Sequence, residues 1–121
     1  MTNVAIALYQ FFSGFGLDAY VEYNVPDDAA LPYITYQLVA PDWRDSAMMY
    51  ARVWYRSTSF ASINAKVDEI SAAIGEGVSI PTEGGAVYLG KGSPFRQYQP
   101  MEGDDTLKVV YLNLIINAIT T

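Results

Sequence analysis

The chain predicts an α+β domain: a single antiparallel-rich sheet with an N-terminal helix and a central amphipathic helix packed on one face. Three observations carry that expectation. Residues 48–57, M-M-Y-A-R-V-W-Y-R-S, lack Gly and Pro and are dense in residues suited to a pleated, half-buried surface. Directly behind them Phe60, Ile63, Val67, Ile70 and Ile74 recur at the spacing of one helical stripe. Near the C-terminus, residues 106–119 give the longest strand signal. There Val110, Leu112, Leu114, Ile116 and Ala118 form an unbroken apolar face, while Asn113 and Asn117 interrupt Val109, Tyr111 and Ile115 on the other. A sheet buried on one face and half-solvated on the other is an antiparallel sheet with helices on one side only.

In chain order, residues 3–15 carry Val4, Leu8, Phe11, Phe12 and Phe15 at helical spacing, with Thr2 or Asn3 as cap and Gly14 and Gly16 as stop. Residues 20–23, Y-V-E-Y, form a short strand. The segment 24–32, bracketed by Pro26 and Pro32, is a loop. Residues 33–39 read as a second strand, and 40–47 as a polar connection with an exposed Trp43. Within the strand at 48–57, Met49, Ala51, Val53 and Tyr55 share one face, and Tyr50, Arg52, Trp54 and Arg56 share the other. The helix at 60–74 is expected to be capped by Thr58 or Ser59 and stopped by Gly75 and Gly77. Its five large apolar side chains contribute roughly 10 kcal/mol gross on burial, at ~2 each, before entropy is subtracted. A brief strand at 78–81, a turn at 82–85 and a partner strand at 86–89 follow. G-K-G-S-P (90–94) breaks the chain before a strand at 95–99, and the acid-rich 101–105 turns into the closing strand.

Composition narrows the function. The 121 residues make one domain, 1–121, with no internal repeat, linker or low-complexity segment. A net charge of -6 without a basic run repels phosphate backbones, so stable nucleic-acid binding is not expected. Cysteine and histidine are both absent. That removes disulfides, thiolate metal sites, the usual general base and the commonest metal ligand. The first residues carry no basic segment of a secretory signal, and no apolar run approaches the ~20 residues of a membrane helix. A soluble protein made inside a cell is expected.

Each candidate for chemistry has a bland counterpart. Asp27–Asp28 and Asp104–Asp105 are adjacent carboxylates, but they lack calcium-loop spacing and sit where Asp commonly caps turns. The Gly-rich pieces at 75–77, 84–85 and 90–93 lack the spacing and following helix of a phosphate loop. Ser57, Ser59, Ser62 and Ser71 have no His to activate them, and nothing in the spacing supports a Ser–Lys arrangement with Lys66 or Lys91. No enzyme and no cofactor are expected. The informative set is Trp43, Arg44, Tyr50, Arg52, Trp54, Arg56, Arg96 and Tyr98. It is either a sheet face partly covered by loops or by the N-terminal helix, or a subunit interface, because Trp, Tyr and Arg carry binding energy in packed contacts.

The order of elements, with L-P-Y-I-T-Y-Q-L (31–38), V-W-Y-R-S (53–57), I-x-x-x-V-x-x-I (63–70) and P-F-R-Q-Y (94–98), resembles the tail terminator or tail-completion proteins of long-tailed bacteriophages, also labelled minor capsid or neck proteins. The resemblance spans nearly the whole chain and carries no catalytic signature. It implies a subunit of a ring, typically hexameric, on the head-proximal end of the tail tube. There it would stop tube growth and join the tube to the head–tail connector protein. The expected location is the virion tail or neck, and the host cytoplasm during assembly. Partners are further copies of itself, the tube protein and the connector, with DNA only passing through and no membrane involved. The acids Asp27, Asp28, Asp42, Asp45, Glu102, Asp104 and Asp105 are then candidates to line or rim the channel. The alternatives are a head-completion or neck adaptor and, from a different class, a small bacterial ligand-binding or regulatory α+β domain; an enzyme built on a carboxylate pair comes last.

Overall fold

The computed structural model describes residues 3–42, 45–99, 101 and 103–120, the side chains of 119 and 120 excepted. Helix α1 (Val4–Phe12) contains no charged residue and buries Ala7, Leu8 and Phe12. Thr2 lies outside the described residues; the cap is Asn3, whose Oδ1 accepts from Ile6 N at 3.0 Å. A single 3-10 turn, Ser13–Phe15, follows, and Gly16 ends it at φ +79°, a left-handed conformation that favours glycine. Strands β1 (Asp18–Val21), β2 (Tyr33–Tyr36) and β3 (Ser46–Arg56) precede helix α2 (Ala61–Ile74). Strands β4 (Val78–Thr82), β5 (Gly85–Gln99) and β6 (Leu107–Thr120) complete the chain.

The six strands form one sheet in the order β1-β2-β3-β6-β5-β4. Helix α2 lies on β3, β5 and β6, and its stripe Ile63, Val67, Ile70 and Ile74 is fully buried, with Phe60 packed at its end. Helix α1 touches both β1 and β4, which are the two edge strands, so the sheet curls around its helices. The core lies between them, where Ile34, Tyr36, Val53, Val87, Leu89, Leu112, Leu114 and Ile116 meet the helices. The Phe12 ring stacks on Tyr36 at 4.9 Å between centroids. Among the described residues no helix is long and apolar enough to cross a membrane.

Three local expectations are corrected. The G-K-G-S-P stretch does not break the strand: β5 runs through it, with a register irregularity between Lys91 and Arg96 that accommodates Pro94. Glycine serves close approach here, since a Cβ on Gly92 would lie 3.1 Å from the Asn113 backbone. The sheet is not wholly antiparallel: β1 runs parallel to β2, joined by residues 22–32 without a crossover helix. Helix α2 begins at Ala61, one residue later than expected, with Phe60 in the cap position offering no side-chain bond; the expected Ser59 bonds the first helical residue, its Oγ accepting from Ala61 N at 3.3 Å, and the expected Gly75 ends the helix at φ +57°.

Candidate functional site: the aromatic face of the sheet

Strand alternation sends Met49, Ala51 and Val53 into the core and Tyr50, Arg52 and Trp54 to the helix-free face. Pairing then assembles a row of side chains across that face: Tyr20 on β1, Tyr33 and Thr35 on β2, Trp54 and Arg52 on β3, and Tyr111 on β6. Ring centroids are 5.7 Å apart for Tyr20–Tyr33, 5.9 Å for Tyr33–Trp54 and 5.5 Å for Tyr50–Tyr111. The Trp54 indole N–H donates to Thr35 Oγ1 at 2.9 Å, which gives a partner to the hydroxyl of a residue only 2 % exposed. Val109, level with Trp54, is fully buried. Although no helix covers this face, its own side chains close it over.

Arg52 is the centre of the row. Its guanidinium carbon lies 4.7 Å from the Trp54 ring centroid, 5.3 Å from that of Tyr111 and 5.8 Å from that of Tyr50. Its Nη1 donates to the Tyr111 hydroxyl at 3.3 Å, and it forms an ion pair with Glu22, a carboxylate whose side chain is 6 % exposed. The pair ties the turn after β1 to the middle of the sheet. Arginine suits the place because its planar group stacks on rings while its fork reaches an acid, which an ammonium does not do. The Tyr20 hydroxyl is pushed above its usual pKa, first by burial and then by the charge of neighbouring Asp18.

The eight aromatic and arginine candidates do not form one surface. Tyr50, Arg52 and Trp54 share the helix-free face. Arg56 sits at the end of β3, donating to Asp104 Oδ2 at 3.0 Å and Thr106 Oγ1 at 2.7 Å. Hydrogen bonds from Thr106 and from Arg56 hold the Asp104 carboxyl at about 2. Arg96 and Tyr98 lie on the helix side, bonded to Asp68 at 2.8 Å and Asn64 at 2.7 Å on α2. Trp43 and Arg44 lie outside the described residues, as does Glu102 among the acids.

The remaining acids are divided as well. Asp42 and Asp45 are in the connection entering β3, whereas Asp104 and Asp105 are in the turn entering β6, at the opposite end of the sheet. Asp27 and Asp28 are exposed in the β1–β2 connection. Asp104 and Asp105 flank a half-open cleft of ≈ 260 Å³, lined also by Phe60, Gln99, Met101, Leu107 and Lys108. Among the described residues no three acids converge as a metal site would require.

Sequence reasoning missed Glu22, Thr35 and Tyr111. Glu22 was masked inside Y-V-E-Y, and its partner is far along the chain. Thr35 and Tyr111 were assigned to strands without a role; the alternation of 106–119 had already put Tyr111 on the half-solvated face. No protein-family model matches the chain, and no curated protein matches it.

Proposed function

We propose that this protein is a structural ring subunit of a bacteriophage tail, a terminator that caps the tail tube and joins it to the head connector. The observation that carries the reading is the helix-free face. It is a fixed row of Tyr, Trp and Arg side chains, prearranged by Arg52–Glu22 and Trp54–Thr35, on a sheet whose other face is filled by helices. Rigid aromatic and guanidinium groups lose little conformational freedom when a partner lands on them, so such a surface favours repeated protein contact. The chain carries no histidine or cysteine, and the lysine that does meet one of its clustered serines, Lys91 Nζ donating to Ser71 Oγ at 2.8 Å, makes that contact at the exposed surface. Those features support assembly over turnover.

The ring is a heterologous contact repeated until it closes. Acidic loops at both ends of the sheet, Asp42 and Asp45 at one and Asp105 at the other, suit a passage through which DNA slides with little counterion release. Light scattering on the purified chain, alone and with tail tubes, tests the proposal. Multi-subunit species, free or at the tubes, are expected. A protein that stays monomeric in both conditions, or that turns over a substrate, contradicts it.

A further inference from the structure

Both lateral edges of the sheet are open along the same rows. Strand β4 pairs with residues 85–89 of β5, so among the described residues Arg96–Gln99 have β6 on one side and no strand on the other. At the far side of the sheet β1 has β2 on one side only. Following the registers across, Asp18 is level with Tyr33, Trp54, Val109 and Gln99. Tyr20 is level with Thr35, Arg52, Tyr111 and Gln97 by the same registers. The two open edges therefore match in length and in height. Among the described residues no backbone bond reaches 96–99 from the side away from β6, or Asp18–Tyr20 from the side away from β2.

Strand direction matches too. Strand β5 runs with β3, because both are antiparallel to β6; β2 runs against β3, and β1 runs with β2. A second copy placed beside the first in the same orientation brings its β1 antiparallel to this copy's β5. That is the more stable kind of pairing, and an open edge is a template for it.

Charge favours the same arrangement. Residues 1–43 contain no Lys or Arg and hold Asp18, Glu22, Asp27, Asp28 and Asp42, so the β1 side of the sheet is acidic. The β5 side carries Lys91 and Arg96 on β5 itself, Arg96 already paired with Asp68 of α2. Lys91 bonds Ser71 Oγ at 2.8 Å and has no carboxylate partner among the described residues. With Arg96 and Glu22 each already paired, the difference that remains is Lys91 on the one side against Asp18 on the other, and it favours a head-to-tail contact over pairing of like with like.

We infer that the subunit contact is strand addition: residues 97–99 of β5 in one copy pair antiparallel with Asp18–Tyr20 of β1 in a second copy, so that one sheet continues around the assembly. This rests on the ring reading above and names the surface that builds it. Asp18, Tyr20, Gln97 and Gln99 all project from the helix-free face, which places Asp18 opposite Gln99 and Tyr20 opposite Gln97 across the new junction.

The natural chain has no cysteine, so engineered pairs report the contact directly. The full chain bearing D18C and Q99C together, and separately Y20C with Q97C, is oxidised mildly and run on a non-reducing gel, with folding checked by circular dichroism and mass by light scattering. The expected result is a ladder of covalent multimers from at least one double variant. Single variants give no species above a dimer, and mixing D18C with Q99C single variants gives a heterodimer. Assembled species that yield no ladder from either folded pair overturn the strand-addition contact while leaving the ring intact. Disulfide dimers from D18C alone in preference to the mixture also overturn it, because they report a two-fold contact. Absence of any assembled species, with tubes or without, overturns the ring and this contact together.

Discussion

Glu22 and Arg52 each take a charge out of water, and each depends on the other to tolerate it. Removing Arg52 leaves a carboxylate that is 6 % exposed without its cation. R52A is therefore expected to lose roughly 3 kcal/mol of stability in urea unfolding, whereas the double variant E22L/R52M recovers most of that, since a well-packed apolar pair avoids the desolvation cost. A double variant no better than R52A would mean that stacking on Trp54 and Tyr111 carries the effect, and not charge pairing. Asp104 gives a pH dependence with a definite sign. Its folded pKa, about 2, is depressed from 3.8, so its contribution is fully present above pH ~4 and is lost as the pH falls towards 2. The melting temperature of D104N should fall below that of the natural chain at neutral pH and converge with it near pH 2. A gap that persists at pH 2 would point to packing instead.

At the scale of elements, α2 and β6 were plain in the sequence because each carries its own period. The stripe from Ile63 to Ile74 is buried as spacing implies, and so is the face from Val110 to Ala118. I70A is expected to cost about 2–5 kcal/mol, read as a lowered urea midpoint, since its side chain is fully buried between helix and sheet. The continuity of β5 was not legible, although strands were expected at 86–89 and 95–99, because Gly and Pro punctuate a chain only when nothing nearby needs the absence of a side chain. The Asn113 backbone does need it: G92A is predicted to destabilise by about 1–3 kcal/mol, and an unchanged midpoint would show that β6 yields easily. The irregularity between Lys91 and Arg96 also hides which face follows it, which is why Arg96 and Tyr98 were grouped with Tyr50, Arg52 and Trp54 although they bond α2. The parallel β1–β2 pair left no local mark either, since strand direction is decided by which neighbours the connection can reach. The Glu22–Arg52 link, joining distant parts of the chain, is of the same kind.

For the whole molecule, the chain has one face committed to its helices, another finished in aromatic and guanidinium groups, and two lateral edges left open at the same height. A sheet of that construction lends itself to tiling. The net charge of -6 opposes close approach of copies, so a contact between them has to be specific. Asp42 and Asp45 lie in a loop at one end of the sheet and Asp104 and Asp105 in a turn at the other, so a passage along the strands would carry anionic rims. Replacing Asp42 and Asp45 by Lys, or Asp105 by Lys, is expected to hinder DNA passage, scored as lost infectivity, while rings still form. Normal infectivity in both variants would remove the acidic channel from the account. The most direct measurement is negative-stain microscopy of growing tail tubes with and without the purified protein. The account predicts tubes of arrested length bearing a ring of this chain at one end; bare tube ends that continue to elongate in its presence would contradict it.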